Sequence, residues 1–361
     1  MTAEVAGHQA EAVALAAVPG IDVDRVSAWL TEHVAGASGP FRFQVIAGGH
    51  SNLTYRVDDA AGRAMVLRRP PLHHVLASAH DMAREHRIIA SLGDTAVPVP
   101  TTLGYCPDDA VIGAPFYVME FVDGHVVRDE TMAEAMLSPD ARAVASRSIA
   151  DTLVALHAVD VEAVGLADLA RHDSYIARQL KRWHGQWQQQ RTRELPLVDE
   201  VHDALAERIP DQGPATIVHG DYRLDNTIVS TAGDVVAVLD WEICTLGDPL
   251  ADVGLLHVCW TGPGDAPSAW AGRATTAAGF WDRRQVIERY GEVSGRDLSQ
   301  LGFYIAFGYW KLACILEGVY ARYVGGALGA RHLDELAPFA AQVDAAATMA
   351  AEQLEGLDRD V

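Results

Sequence analysis

Three side chains that carry oxygen ligands lie within one short segment of the sequence. Asp221 follows His219 and Gly220, Asn226 comes five residues after Asp221, and Asp240 ends the next apolar run. Phosphoryl transfer needs one carboxylate to orient and deprotonate an attacking hydroxyl, and hard oxygen ligands to hold Mg2+ against the phosphates. The spacing therefore predicts phosphoryl transfer, with Asp221 as the base and Asn226 and Asp240 as the Mg2+ ligands.

Short apolar stretches must position these groups. The stretch before His219, and the two between Asn226 and Asp240, are short and rich in valine and isoleucine, which is typical of strands. The last two stretches predict a hairpin. One predicted metal ligand comes just before its first strand and the other just after its second strand.

Before this segment, the sequence alternates between strand and helix patterns. The predicted elements are a helix at Val23–Val34, three antiparallel strands between Phe41 and Leu67, an amphipathic helix at His80–Leu92, and strands at Thr102–Tyr105 and Pro115–Phe121. After residue 122 the pattern is mostly helical, with long helices at Ser138–Leu156 and Ser174–Gln190. This order predicts an α+β fold with a small sheet-containing region before a larger helical one.

The motifs resemble those of the aminoglycoside phosphotransferase branch of the protein-kinase-like fold. The stretch HGDYRLDN, followed by a hairpin and LDWE, matches that family's paired signatures, and the similarity extends over roughly residues 41–323. The resemblance implies a bilobal fold, with an N-lobe at 21–121, a C-lobe at 122–361, and a tail at 1–20 that we expect to be mobile. It also implies that His219 braces the catalytic loop, as Asp248 and Asp252 of GDPLADVG are expected to do.

The resemblance also implies a nucleotide site in the N-lobe, for ATP or, as the alternative, GTP, together with Mg2+. Gly48, Gly49, Ser51 and Asn52 occupy the position of the phosphate-covering loop, although a Gly-Gly pair between strands is also typical of a simple hairpin turn. Arg68 stands where the family usually has a phosphate-binding lysine, and Glu85 stands at the position of its carboxylate partner. The adenine-binding hinge is expected at Met119, Glu120 and Val122.

The acceptor side is less defined by the sequence. The residues expected to contact the acceptor are Tyr175, Trp183, Arg223, Glu242 and Trp310. The aromatic ones also fit a core role, as do Tyr304 and Tyr320, and Arg223 also fits a pair with a nearby acid. Arg178, Lys181 and Arg182 form a basic group on one predicted helix that is suited to an anionic substrate tail.

The amino-acid composition argues against some classes of binding partner and indicates the cellular compartment. The 361 residues include 49 acidic and 28 basic residues, for a net charge of -21, which disfavours nucleic acid and anionic membranes as partners. The four cysteines show no CxxC spacing, so a reducing cytoplasm is expected, and the start of the chain is a poor match to a signal peptide. The apolar run Leu301–Gly326 contains Lys311, Glu317 and Arg322, and it is predicted to be a buried helix.

Three functions remain open at this point. SYIARQLKRWHGQW, VLRRPP and GDPLADVG are similar to kinase-like domains associated with acyl-CoA dehydrogenases, which implies a hydroxyacyl-CoA acceptor. The acidic balance instead favours a cationic aminoglycoside. Arg68 in place of lysine leaves a pseudokinase that binds nucleotide without catalysis as the third reading. The oligomeric state is not predicted.

Overall fold

The protein folds into two compact units. A computed structural model describes residues 18–46, 52–72, 81–170, 174–265, 272–325 and 333–359. Contacts group residues 1–87 and 101–121 into the first unit, and residues 88–100 and 122–361 into the second.

The first unit is built on a five-stranded antiparallel sheet in the order β1-β2-β3-β5-β4. Its elements are α1 (Val23–His33), β1 (Arg42–Val45), β2 (Leu53–Asp58), β3 (Ala64–Arg69), α2 (Met82–Leu92), β4 (Thr102–Cys106), α3 (Asp109–Ile112) and β5 (Phe116–Glu120). The last turns of α2, from Ile88, are grouped with the second unit. The five strands and two main helices that the sequence predicts here are confirmed, with ends that differ by a few residues.

Alternation along the strands creates the core of the first unit. Tyr55 and Val57 of β2 are buried, as are Met65 and Leu67 of β3, because side chains two residues apart share one face of a strand. α1 covers this face, and the Trp29 ring packs edge-on against the Phe116 ring, with the two ring centroids 4.9 Å apart. The helix and the sheet therefore share one apolar core.

The second unit is mainly helical, with two small two-stranded sheets. Its elements are α4 (Glu130–Met136), α5 (Pro139–His157), α6 (Tyr175–Gln190), α7 (Pro196–Glu207), β6 (Thr216–Val218), β7 (Thr227–Val229), β8 (Val235–Val238), β9 (Thr245–Gly247), α8 (Leu250–Cys259), α9 (Arg283–Ser294), α10 (Leu301–Val324) and α11 (Leu333–Arg359). β6 pairs with β9, and β7 pairs with β8, both antiparallel. The α+β fold class that the sequence predicts is confirmed.

The long apolar run of the sequence is α10, the central helix of the second unit. α10 packs against α6, α7, α8 and α11, and even Lys311 and Glu317 along it are buried. Within the described residues, every helix is too short or too polar to cross a bilayer. The prediction of a buried helix is confirmed.

Candidate active site

A buried carboxylate holds the loop that follows β6. Asp252, in the first turn of α8, accepts the backbone N–H of His219 at 2.6 Å and that of Gly220 at 2.8 Å. Gly220 has a φ of 85°, and a Cβ there would lie 3.1 to 3.2 Å from atoms of Ile243. The loop conformation thus requires glycine, and the predicted bracing role of Asp252 is confirmed by two hydrogen bonds.

Asp252 belongs to a buried network that ends at a tyrosine. Burial opposes its charge, but contacts with His157 and the backbone N–H of Gly220 outweigh that cost and lower the pKa of Asp252. Burial lowers the pKa of His157 in spite of the nearby carboxylate, so this imidazole is neutral. Its Nε2–H then points to Asp252 at 3.3 Å, and its Nδ1 accepts from the Tyr290 hydroxyl at 2.8 Å. The carboxylate that holds the loop is therefore itself fixed.

The His219 ring fastens the loop to the strand that carries Asp240. Its Nε2 lies 2.9 Å from the carbonyl oxygen of Leu239, and its Nδ1 accepts the backbone N–H of Asp221 at 3.2 Å. One neutral tautomer satisfies both contacts. The expected bracing function of His219 is confirmed, and it acts on both sides of the site.

Asp221 and Asn226 touch each other. The chain turns through a single 3-10 turn at Leu224–Asn226, and Asn226 Nδ2 donates to Asp221 Oδ2 at 2.7 Å and to the Asp221 carbonyl at 2.8 Å. Among the described residues, the Asn226 side-chain oxygen accepts no hydrogen bond. The amide therefore fixes the carboxylate and keeps its own oxygen for another ligand.

The β7–β8 hairpin brings Asp240 to the same place. Asn226 directly precedes β7 and Asp240 follows β8 by two residues, and the antiparallel register pairs Thr227 with Val238. The Leu239 N–H donates to the Asn226 carbonyl at 2.8 Å, so both candidate ligands lie at one end of the hairpin. Asp240 has a φ of 64°, a left-handed conformation that aspartate tolerates better than most residues.

Arg223 neutralises part of this acidic site. Its side chain is 18% exposed, and its Nε lies 3.2 Å from Asp225 Oδ1 and 3.5 Å from Asp221 Oδ1. Burial opposes the guanidinium charge, but the carboxylates of Asp221, Asp225 and Asp240 outweigh it and raise the pKa of Arg223. Of the two readings that the sequence left open, the pairing with nearby acids is the one observed.

The donor set fits Mg2+. Asn226 offers an amide oxygen and Asp240 a carboxylate at one end of a hairpin, and Mg2+ in nucleotide sites takes one or two protein oxygens together with phosphate oxygens and water. Within the described residues, no group of three or more His, Cys, Asp or Glu side chains is arranged to hold a metal by itself. A metal here would therefore be shared with phosphate.

In the first unit, Arg68 contacts Glu85. Arg68 Nε lies 3.1 Å from Glu85 Oε2, and the two side chains are 12% and 2% exposed. Asn52 Nδ2 and the Tyr117 hydroxyl also donate to Glu85, each at 3.0 Å. Arg68 is thus a largely buried cation paired with a carboxylate, and the Asn52 side chain holds its partner Glu85.

The structure describes only some of the remaining residues of the predicted nucleotide site. Gly48, Gly49 and Ser51 lie outside the described residues. The Glu120 N–H donates to the Thr101 carbonyl at 2.8 Å, and the Glu120 side chain lies 3.4 Å from Arg63. That N–H is therefore committed to the sheet and does not serve as a donor to adenine.

Most of the residues expected to contact the acceptor lie in the core. Tyr175, Trp183 and Trp310 are 3%, 7% and 0% exposed. Trp310 Nε1 donates to the Val198 carbonyl at 2.9 Å, and Tyr175 packs on Gly247 so closely that a Cβ there would lie 2.5 Å from the ring. Glu242, in contrast, is half-buried. The core role considered for the aromatic residues is the one observed.

Sequence reasoning missed Lys311 as part of the site. Its Nζ donates to the Gly220 carbonyl at 2.7 Å, next to Asp221. The available signal was the one lysine within the largely apolar run Leu301–Gly326.

Comparison with known proteins places this geometry in a family. The sequence model of the phosphotransferase enzyme family matches residues 42–289. The chain belongs to this phosphotransferase family. It is a phosphotransferase, and the predicted resemblance to aminoglycoside phosphotransferases is confirmed.

One curated relative and two solved structures illustrate what this chain is similar to. Acyl-CoA dehydrogenase family member 10 of Mus musculus is 35% identical over 294 residues, which are 80% of this chain and 27% of that protein. A solved structure of a candidate aminoglycoside phosphotransferase from Ralstonia eutropha JMP134 is 34% identical, with a TM-score of 0.78 over 93% of this chain and 98% of that one. Spectinomycin phosphotransferase, solved with ADP and spectinomycin, shares the kinase-like fold at 12% identity, with a TM-score of 0.59 over 92% of this chain and 99% of that one.

This phosphotransferase covers only part of its curated relatives. The chain spans between 27% and 40% of the length of the acyl-CoA dehydrogenase family members that it matches. The similarity therefore concerns one region of those proteins.

Proposed function

We propose that the protein is an ATP- and Mg2+-dependent small-molecule kinase that transfers the γ-phosphoryl group to a hydroxyl of a hydroxyacyl-CoA. The observation that carries the proposal is the contact of Asn226 with Asp221, with Asp240 at the same end of the hairpin. GTP is the alternative donor. A reducing cytoplasmic setting belongs to the same proposal, and the four cysteines, all of which the structure describes, form no disulfide.

Asp221 is assigned the role of the base. A bond forms between the acceptor oxygen and the γ-phosphorus while the bond from that phosphorus to the β,γ-bridging oxygen breaks, ADP leaves, and the hydroxyl proton passes to Asp221. Because Asn226 holds Asp221 Oδ2, Oδ1 is the oxygen assigned to the incoming hydroxyl. Positioning and charge neutralisation lower most of the barrier in such transfers, so the base needs no unusual basicity.

The charge of the phosphates is assigned to two sets of groups. The Asn226 side-chain oxygen and the Asp240 carboxylate would hold Mg2+, which when bound neutralises charge on the outer phosphates. Arg68, fixed by Glu85, is assigned to the α and β phosphates, where its planar fork suits two oxygens at once. Met119, Glu120 and Val122 remain assigned to the adenine edge, with the Val122 N–H rather than the Glu120 N–H as the donor.

The proposed acceptor class rests on the relatives and on one helix. The curated relatives are acyl-CoA dehydrogenase family members, whose name refers to acyl-CoA thioesters. On α6, Lys181 and Arg182 are exposed and Arg178 is half-buried, so one face of the helix is basic in a chain with a net charge of -21. Such a face suits the phosphates of coenzyme A.

An aminoglycoside acceptor is the second candidate. The Ralstonia eutropha protein is named for that activity, and a strongly acidic chain favours polycationic ligands. A nucleotide-binding pseudokinase is the third, because Arg68 replaces the usual lysine. Against it, the base, both metal ligands and Glu85 are all retained.

The test is a phosphorylation screen read by product mass. The protein is incubated with Mg2+ and ATP against a panel of hydroxyacyl-CoA thioesters and aminoglycosides, with Asp221→Asn as the blank. A hydroxyacyl-CoA that gains one phosphoryl group only with the wild-type protein supports the proposal, and an aminoglycoside that does so favours the second candidate. Silence across both classes, combined with measured ATP binding, contradicts the proposed acceptor, and silence without ATP binding contradicts the kinase assignment.

A further inference from the structure

Lys311 is a buried cation at the centre of the second unit. It lies halfway along α10 and is 7% exposed. Taking an ammonium group out of water costs several kcal/mol unless nearby groups compensate for the lost hydration. A lysine in such a place therefore needs a reason, and its contacts give one.

The contacts of Lys311 are directed at the catalytic loop. Nζ donates to the Gly220 carbonyl oxygen at 2.7 Å and lies 5.4 Å from the centroid of the Trp183 ring. Among the described residues, that carbonyl is the only hydrogen-bond acceptor for the ammonium group. Burial lowers the pKa of Lys311, while the charges of Asp221 and Asp252 work in the opposite direction. The ammonium thus lies in the field of the proposed base and of the loop brace.

The bond to Gly220 restrains the peptide group that leads into Asp221. The carbonyl oxygen of this peptide accepts from Lys311, and its N–H, which belongs to Asp221, donates to His219 Nδ1. The preceding peptide is held by Asp252 through the Gly220 N–H. Gly220 itself is the most adaptable residue of the loop, with a φ of 85°. Within the part of the chain that the structure describes, Lys311 therefore supplies the one hydrogen bond to the carbonyl of this peptide, whereas the other contacts act on N–H groups.

We infer that Lys311 is a positioning residue for the proposed base: it fixes the Gly220–Asp221 peptide group and places a positive charge behind a cluster of carboxylates that must receive a polyphosphate. The inference rests on the proposed function for its kinetic consequence. Its structural part, the restraint on the peptide, does not depend on that function. If Lys311 served only to fill space, an apolar side chain of similar length could replace it. Neither the restraint on the peptide nor the kinetic consequence would then depend on its charge.

Three variants separate positioning from packing. Lys311→Met keeps the length of the side chain and removes charge and donor, Lys311→Arg keeps both, and Glu317→Gln is the matched control. Glu317 is buried on the same helix, but it accepts from the N–H and hydroxyl of Thr192, not from the loop. Lys311→Met removes the cost of burying an ammonium group but leaves the Gly220 carbonyl without its donor, so the two effects oppose each other and the variant is expected to melt close to the wild type.

The expected kinetic result is a loss of kcat without a loss of affinity. We expect Lys311→Met to lower kcat at least about tenfold, with a KM for ATP within about threefold of the wild type. A misplaced base reduces the stabilisation of the transition state but leaves the binding of nucleotide unchanged. Lys311→Arg should recover part of that loss, and Glu317→Gln should keep the kcat of the wild type. A kcat of Lys311→Met within about twofold of the wild type would overturn the inference.

Hydrogen exchange gives a second measurement that needs no turnover. The amide protons of the segment 217–226 should exchange faster in Lys311→Met than in the wild type, with the rest of the second unit unchanged. If the wild type shows no kinase activity, the proposed function fails, and the exchange rates alone test whether Lys311 restrains the peptide. Equal rates in the wild type and Lys311→Met would refute that restraint. If Lys311→Met does not fold, Lys311→Gln, which is polar but uncharged, takes its place in both measurements and is judged by the same outcomes.

Discussion

Asp221 and Asn226 form the contact on which the proposed chemistry depends. The side-chain amide occupies one carboxylate oxygen and the adjacent main-chain carbonyl, so the carboxylate has a single orientation before any substrate arrives. Catalysis benefits when such groups need no rearrangement during the reaction. At the scale of single residues, the site is organised by short hydrogen bonds from N–H donors to carboxylate and carbonyl oxygens, and by Arg223, which offsets the surrounding negative charge.

Replacing the proposed base should stop turnover and spare binding. Asp221→Asn is expected to lower kcat by about 10² to 10⁴, because a positioned general base contributes that much, while the dissociation constant for ATP changes little. The measurements are steady-state kinetics and calorimetric titration with nucleotide. The control is Asp234→Asn, an exposed residue at the opposite end of the same hairpin. Near-normal turnover of Asp221→Asn would rule out the role given to Asp221.

Breaking the Arg68–Glu85 pair should cost more stability than breaking a surface pair. Arg68→Ala leaves Glu85 almost wholly buried without its cation, so we expect a loss of about 3 kcal/mol in the free energy of unfolding and a higher KM for ATP. Arg63→Ala removes a partner from Glu120 in a half-exposed pair and should cost less than about 1 kcal/mol. Urea denaturation of both variants checks the order, and equal losses would contradict it.

At the scale of elements, one hairpin turns two distant sequence positions into one site. β7 and β8 run antiparallel, so the residue before β7 and the residue after β8 meet at the same end. The His219 ring then connects this end to the loop after β6 through the Leu239 carbonyl. The arrangement depends on backbone pairing more than on any particular side chain in the strands.

The left-handed backbone at Asp240 allows its contribution to stability to be separated from its proposed role as a metal ligand. Asparagine tolerates this conformation and alanine does not, so Asp240→Ala should lose about 1 to 2 kcal/mol of stability, whereas Asp240→Asn should lose almost none. Both should weaken Mg2+-dependent nucleotide binding, because neither provides a carboxylate. Melting curves and ADP titrations with and without Mg2+ check this pattern. Tight Mg2+-dependent binding by Asp240→Ala would remove Asp240 from the metal site.

The sequence predicts local elements and motifs well because both are set by neighbouring residues. The strands of the first unit, the β7–β8 hairpin and the buried character of α10 all follow from periodicity over a few residues. The bonds from Lys311 to Gly220 and from His157 to Asp252 join residues 91 and 95 positions apart, and no local pattern encodes them. The same reason explains why the burial of Glu85 escaped prediction, since it depends on Asn52 and Tyr117.

At the scale of the whole molecule, two neutral histidines, the buried His157 and the half-buried His257, connect stability to pH. Burial lowers the pKa of His157, and it lowers that of His257 to about 3, helped by Arg283. In the unfolded chain both imidazoles regain their ordinary pKa of 6.5. Below that value the unfolded state binds protons that the folded state does not, so stability is full above pH 6.5 and falls as the pH falls.

The size of this effect can be measured. Between about pH 7.5 and 5.5, His257 should reduce the free energy of unfolding by about 1.4 kcal/mol, and His157 should add to the loss in the same direction. His257→Gln should remove one such contribution, so its denaturation midpoint should change less between the two pH values than that of the wild type. An unchanged pH dependence in His257→Gln would show that the pKa of this imidazole is the same in the folded and unfolded states, against the lowered pKa assigned to it.

Arg68 also affects how the protein can be detected by chemical labelling. Nucleotide reagents that acylate an amine beside the phosphates depend on a lysine that can lose its proton and act as a nucleophile. A guanidinium stays protonated at any accessible pH and is a poor nucleophile, and here it is paired with Glu85. With Arg68 in the phosphate-binding role proposed for it, such reagents would find no amine at that position, and a labelling survey based on them would pass over this protein.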